Sequence, residues 1–246
     1  MSQLIKPVET RRLYQRVADM IRGVISSGGY PVGSRLPPER DLAIQLGVSR
    51  PSLREALIAL EIEGCVEIRM GSGVYVCASP LQTASDTPAL GDSPSELMQA
   101  RMALESAVIT LAAARTTPEG LARVREALDA MRRDHAGRVV PIDSDRRFHV
   151  AIAEMAGNSV LARLVGELFD GRHGPLGARI TLRAENVQTW EAALAEHEAI
   201  YEALASRDPF AASAAICSHL QSSQDRWAAG SRDRAAKASP EPSGRA

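Results

Sequence analysis

Asp145, His149, His197 and His219 are residue types that ligate divalent ions, and their neighbours place them on apolar helical faces. Asp145 and His149 stand at i and i+4, where Cβ atoms lie about 5–6 Å apart, so one ion can be held by both. His149 shares its face with Ile142 and Ile152, His197 with Trp190, Leu194, Tyr201 and Leu204, and His219 with Ala212, Ile216 and Leu220. Three different helices thus aim one imidazole each inward. Burying a carboxylate and three imidazoles separately requires several hydrogen-bond partners and costs several kcal/mol. One divalent ion satisfies all four; separately paired structural histidines are the alternative. His135 and His173 fall in polar, turn-like contexts. Arg101 is a further oddity, lying in the stripe Leu97, Arg101, Leu104, Val108, Leu111. A guanidinium cannot deprotonate and wants a carboxylate or phosphate beside it. Glu105 one turn along would neutralise it, a snorkelling side chain would reach water, or Arg101 and the ion together would grip an anionic ligand.

A second set of charged residues lies nearer the N-terminus. Arg50 and Arg54 are one turn apart on the flank of a helix whose buried stripe is Leu53, Ala56, Leu57 and Leu60, with Ser49 as its cap and Pro51 in its first turn. A short helix precedes it, starting after Pro37-Pro38-Glu39, facing Leu42, Ala43 and Leu46 inward and closed by Gly47. Two short helices joined through a glycine, with arginines opening the second, suit entry into a DNA major groove. A first helix carries Leu13, Val17, Met20, Ile21, Val24 and Ile25 on one stripe. After Gly64, Cys65 to Met70 alternates, Gly71-Ser72-Gly73 turns, and Val74-Tyr75-Val76 returns as a hairpin whose glycines let backbone approach a sugar-phosphate chain.

These elements require two cores, and 246 residues suffice for them. The spacing predicts a mainly α chain: a winged helix-turn-helix of three helices and a β-hairpin over 8–77, a linker over 78–94, an all-helical antiparallel bundle over 95–229, and a disordered tail over 230–246. Helix breaks are expected at Thr116-Thr117-Pro118, Gly137, Gly157-Asn158, Gly171 to Gly177, and Asp208-Pro209. Hydrophobic residues make up 45% and charged residues 24%, which excludes wholesale disorder. A net charge of -1 excludes a uniformly basic nucleic-acid coat while leaving room for a local patch. The three cysteines are odd in number and scattered, fitting neither a disulfide framework nor a thiolate zinc site, and read as buried hydrophobes. No apolar run approaches the roughly 18 residues of a membrane span, and the N-terminus lacks a signal-peptide core, so no membrane association and a cytoplasmic location are expected.

The run RLPPERDLAIQLGVSRPSLREALIALEIEGCVEIRMGSGVYV, residues 35–76, resembles the DNA-binding domain of the GntR family of bacterial transcription regulators. The resemblance implies DNA contacts by Arg40, Arg50, Ser52, Arg54 and Gly71. Pro51 stands where family members often have Thr. The stretch from about Ser95 to Trp227 resembles the helical effector domain, called FCD, of the FadR branch of that family, on ARMALESAVITLAAA, DSDRRFHVAIAEMAGNSVL, EHEAIYEAL and SHL. Its metal-binding members use an Asp and a His four apart plus two later histidines, which implies Asp145, His149, His197 and His219 here. The ion is zinc in the first instance, with nickel or manganese as alternatives. The ligand-facing arginine of that family corresponds to Arg101. RRLYQRVADMIRG, LPPERDLA and FDGRHGPLGARITLR are most similar to regulators of hexuronate catabolism.

The function expected is therefore a homodimeric, ligand-responsive repressor that binds double-stranded operator DNA and leaves it when a metal-chelating carboxylate effector, a hexuronate-type sugar acid, binds. The alternatives are the same kind of regulator answering to gluconate, galactonate, lactate or an acyl-coenzyme A, and more distantly a metal-dependent hydrolase. Against catalysis, no HExxH motif, nucleophile elbow or phosphate loop is present.

Overall fold

A computed structural model describes residues 12–69, 71–78, 90–185 and 187–229. The start of the first expected domain, most of the expected linker and the expected tail lie outside the described residues. The chain divides between Ser93 and Pro94 into two units, each with its own core.

The first unit holds α1 (Leu13–Ser26), α2 (Glu39–Leu46), α3 (Arg50–Ile62), β1 (Val66–Arg69) and β2 (Gly73–Val76). Helix α2 ends where Gly47 turns into the left-handed region at φ 65°, a conformation costly for a residue with a Cβ. Two residues later the Ser49 hydroxyl accepts the Ser52 N–H and caps α3, with Pro51 in the first turn where no N–H is missed. The strands pair antiparallel, Val66 opposite Val76 and Ile68 opposite Val74, as the alternation predicts. Leu53, Ala56, Leu57 and Leu60 are buried, and Val17, Ile21, Leu36, Leu42 and Val66 complete the core. Helix α1 departs from its expected stripe, because Leu13, Met20 and Val24 are exposed while Tyr14 and Ala18 are buried. The buried face is centred on Tyr14, Val17, Ala18 and Ile21, the i, i+3, i+4, i+7 set that includes the tyrosine. Tyr14 can be buried because its hydroxyl donates to the Gly91 carbonyl at 3.0 Å, where Arg12 Nη1 also donates at 2.6 Å. Leu90 is buried, and Ser93 donates to the buried Glu55 carboxylate at 2.7 Å. Residues 90–93 are thereby fastened to the first unit.

The second unit is helical: α4 (Pro94–Ala114), α5 (Pro118–Ala136), α6 (Ile142–Met155), α7 (Ser159–Gly171), α8 (Pro175–Ala184), α9 (Val187–Ala205) and α10 (Pro209–Ala229). Thr117 caps α5 and Asn158 caps α7 through side-chain oxygens, at the breaks that Pro118 and Gly157 announce. The helices pack through Ile109, Leu128, Met131, Phe148, Val165, Ile200, Leu204 and Ile216, each contributing about 1.5–3 kcal/mol on burial. Helix α4 corrects one sequence expectation, since by length and hydropathy it is apolar enough to cross a membrane. It packs instead against α6, α7, α9 and α10 and buries the Arg101–Glu105 ion pair, as a core helix does. Of the cysteines, Cys65 is buried as expected, while Cys77 and Cys217 are half-buried. The break between α8 and α9 carries no glycine or proline; Glu185 adopts an extended conformation there.

Candidate functional site

The exposed edge of the first unit carries the residues expected to meet DNA, in three distinct states. Arg40 and Arg50 are exposed, on α2 and at the start of α3, and Gly71 is exposed in the turn of the hairpin. Arg54 is fastened rather than loose, its Nε donating to Glu39 Oε2 at 2.7 Å across the two helices. Ser52 is buried, and its hydroxyl shares a 2.8 Å hydrogen bond with Ser49, so it belongs to the cap of α3 as much as to its surface. Gly73 has φ 122°, and a Cβ there would lie 2.5 Å from Arg35 Nε. Beside it, Arg69 lies over the Tyr75 ring and bonds Glu67 at 2.8 Å.

In the second unit Asp145 and His149 on α6, His197 on α9 and His219 on α10 come together. All four are buried, and one ligand atom from each lies within 4.8 Å of all the others. Asp145 Oδ1 is 2.9 Å from His197 Nε2 and 3.3 Å from His149 Nε2. The opposite ring nitrogens are all engaged by acceptors. His149 Nδ1 lies 2.6 Å from Glu105, His197 Nδ1 lies 2.7 Å from the Ala193 carbonyl, and His219 Nδ1 lies 2.9 Å from Glu196. Each acceptor requires an N–H, so a neutral ring carries its lone pair on Nε2. Three lone pairs and a carboxylate would then converge on one buried point, an arrangement that a cation resolves. His149 Nε2 is buried with no hydrogen-bond partner, which agrees. The donor set of three imidazoles and one carboxylate fits a divalent ion ligated at about 2.0–2.2 Å, and the outer partners orient the rings as metal sites require.

The electrostatics follow from burial opposed by pairing. Burial raises the Asp145 carboxyl, but the adjacent imidazoles of His149 and His197 outweigh this and hold it well below the usual carboxylate range. Glu105 is likewise opposed by burial and lowered to about 2 by Arg101 and then His149. Burial, followed by the charge of His197, pushes His219 down to about 3. Burial works against the proton on His149, and the Glu105 charge reverses the balance and raises it. Glu196, shared between His219 and Arg226, falls to about 2 despite its burial.

Arg101 is fully buried and its Nε donates to Glu105 at 2.7 Å, so the pairing with Glu105 is realised. Its Nη2 is nevertheless buried without a partner, and the guanidinium lies 4.8 Å from the Phe169 ring centroid. Sequence reasoning assigned Glu105 only to Arg101; the structure has it bridge Arg101 and His149. It missed Glu196, and it missed a cleft that opens beside Asp145 and His219 and is walled by Arg172, Glu185, Trp190 and Trp227. Arg172 is buried, pairs with Glu185 at 3.1 Å, and faces both Phe169 and Trp227. A second buried arginine in FDGRHG, beside a short apolar run, was the available signal.

Residues 13–76 match the model of the family described as bacterial regulatory proteins, gntR family, and residues 96–222 match that of the FCD domain. The chain is 37% identical over 223 residues to the Uxu operon transcriptional regulator of Escherichia coli K12, covering 88% of this chain and 87% of that protein. It is 34% identical over 223 residues to the Exu regulon transcriptional regulator of the same organism, covering 88% and 84%. The solved structure of E. coli McbR/YncC superposes with a TM-score of 0.50 at 22% identity, covering 89% of this chain and 98% of that one, and so shares the fold. A winged first unit followed by a helical ligand-responsive unit is the architecture of a DNA-binding regulator rather than of an enzyme, and the chain belongs to the GntR family of bacterial transcription regulators, with an FCD domain as its second unit.

Proposed function

We propose that this regulator is a homodimeric, cytoplasmic repressor of sugar-acid catabolism, released from its operator by a hexuronate-type acid that binds beside a divalent ion. Asp145, His149, His197 and His219 hold the ion, zinc before nickel or manganese. The observation that carries this reading is that Asp145, His149, His197 and His219 each bring one ligand atom within 4.8 Å of all the others, with every histidine Nδ1 already engaged by an acceptor. When bound, the ion supplies a positive centre that a carboxylate and an adjacent hydroxyl can chelate. Arg101 joins the effector site through its unpartnered Nη2, and through Glu105 it fixes the ring of His149. Similarity to regulators named for the Uxu operon and the Exu regulon supports a hexuronate-type effector.

In the first unit, Arg50 and Arg54 open α3 towards the major groove, Arg40 and the hairpin turn at Gly71 meet the backbone, and Ser52 contributes at the capped helix start. Arg54 reaches DNA by exchanging or sharing Glu39. Two such units on a two-fold operator require a dimer. An effector that binds better to the arrangement unable to engage both half-sites lowers DNA affinity in the same proportion.

Elemental analysis of the purified protein, paired with a thermal-shift series of glucuronate, galacturonate, fructuronate, tagaturonate, gluconate, galactonate and lactate with and without chelator treatment, tests this directly. One divalent ion per chain, reduced in His197→Ala, and a metal-dependent rise with a hexuronate are expected; ligand at 100 times its dissociation constant stabilises by about 2.7 kcal/mol. A full metal complement in His197→Ala overturns the ligand set, and a response to lactate or gluconate alone overturns the hexuronate assignment.

A further inference from the structure

A cleft opens beside Asp145 and His219, with Arg172, Glu185, Trp190, Arg226 and Trp227 among its walls. Its charges are matched in pairs. Arg172 Nη2 donates to Glu185 Oε1 at 3.1 Å, and Arg226 holds Glu196 through two bonds of 2.6 and 2.9 Å. Glu185 is engaged by two indoles as well, Trp227 Nε1 donating to Oε1 at 3.2 Å and Trp190 Nε1 to Oε2 at 3.2 Å. Arg101, further in, is matched by Glu105. Charge therefore enters the accounting only through Asp145 and the ion. A divalent ion beside one carboxylate leaves a single positive charge, enough for one acid group and no more.

The far wall is of another character. An ion pair offers acceptors and donors at once, as a hydroxyl group does, so it can bond a neutral polyol without leaving a charge unpaired. Arg172 Nε is buried with no partner in the structure, a donor for one more oxygen. Trp190 and Trp227 add apolar ring surface on which the C–H face of a carbon chain can lie. A second carboxylate placed here would meet Glu185 with no unmatched cation to receive it.

We infer that Arg172, Glu185, Trp190 and Trp227 form the subsite that reads the uncharged, hydroxylated tail of the effector, so that the regulator answers to polyhydroxy monocarboxylates and rejects dicarboxylates of the same length. The inference rests on the reading that the ion beside Asp145 takes the acid group, and it adds the residues that set the ligand class. Glu185 is the determining residue: its carboxylate joins Arg172 to both indoles, and it stands in the short connection between α8 and α9.

Calorimetric titration of the metal-loaded full chain with galacturonate, galactarate and glycolate tests it, since open-chain galacturonate shares an α-hydroxy acid head with the other two and differs from them in the tail. Galacturonate binding at least about tenfold tighter than galactarate is expected. Glu185→Gln and Trp227→Phe should weaken galacturonate about tenfold or more while leaving glycolate affinity and metal content unchanged. Equal binding of galacturonate and galactarate overturns the inference, as does a loss of galacturonate and glycolate affinity in equal proportion. Should Glu185→Gln shed its metal, Trp227→Phe, which keeps the ion pair, decides by the same ratio. If none of the three acids binds the metal-loaded wild type, the placement of the acid group at the ion is wrong and the inference falls with it. If glycolate binds and the variants alter nothing, the ion site stands and the subsite alone is refuted.

Discussion

Glu105→Gln isolates what the buried network around His149 contributes. The carboxylate accepts from Arg101 Nε at 2.7 Å and His149 Nδ1 at 2.6 Å, and all three residues are at most 4% exposed. Glutamine keeps one acceptor oxygen and nearly the same volume but removes the charge. Arg101, which cannot deprotonate, is then a buried cation without a counter-ion, a defect that costs about 3–5 kcal/mol when one partner of a buried pair is removed. The retained amide oxygen places the expected loss at the lower end, about 3 kcal/mol in the metal-free protein. A second effect follows on the ion. An outer partner of a metal-bound imidazole typically sets affinity by 10–100-fold, so binding should weaken by about that factor. Urea unfolding of chelator-treated protein, followed by circular dichroism, reads the first quantity, and competition against a chromophoric chelator reads the second. Arg101→Met added to Glu105→Gln should recover stability by removing the stranded charge while leaving the metal affinity low. If the urea midpoint stays at the wild-type value and the metal affinity changes less than twofold, Glu105 is not the hinge between Arg101 and His149 and the network is misread.

Gly73→Ala puts a Cβ on a backbone at φ 122°, which side chains rarely adopt, so even with the exposed Arg35 side chain swung aside it should destabilise the first unit by about 1–3 kcal/mol and lower its melting temperature; an unchanged melting curve would contradict the hairpin geometry. Arg50→Ala should weaken operator binding by about 1–3 kcal/mol with no change in stability, because Arg50 is exposed. Arg54→Ala should weaken DNA binding to a similar degree and also loosen α2 from α3 through loss of Glu39, so gel-shift and thermal melts together separate the two arginines. Tyr14→Phe leaves the Gly91 carbonyl with Arg12 alone and should cost about 1 kcal/mol in unfolding titrations; a gain in stability would argue that the hydroxyl bond is not formed in solution.

The features legible in the sequence are those that depend on local spacing. Asp145 and His149 are one helical turn apart, and each imidazole shares a stripe with core residues, so their convergence could be anticipated without knowing how the helices pack. The caps at Ser49, Thr117 and Asn158 and the stop at Gly47 are short-range devices of the same kind. What depends on long-range contacts was not visible. The face of α1 turns towards Tyr14 because a carbonyl at Gly91 satisfies the hydroxyl, and apolar periodicity alone favours Leu13, Met20 and Val24 instead. The end of α8 has no breaking residue; Glu185 leaves helical geometry where Arg172, Trp190 and Trp227 hold its carboxylate. Arg54 has the right position for DNA, but only the packing of α2 on α3 reveals that Glu39 already holds it.

The fastening of residues 90–93 bears on how such regulators are recombined. Likeness to the DNA-binding family stops at residue 76, yet the first unit uses Gly91 and Ser93 to satisfy Tyr14, Arg12 and Glu55. A crossover anywhere upstream of Leu90 would hand those buried groups a stranger's chain, whereas one at Pro94 transmits the reading head whole. The transferable unit is thus longer than its recognisable motif, and chimaeras cut at Pro94 should outlast those cut just after the hairpin.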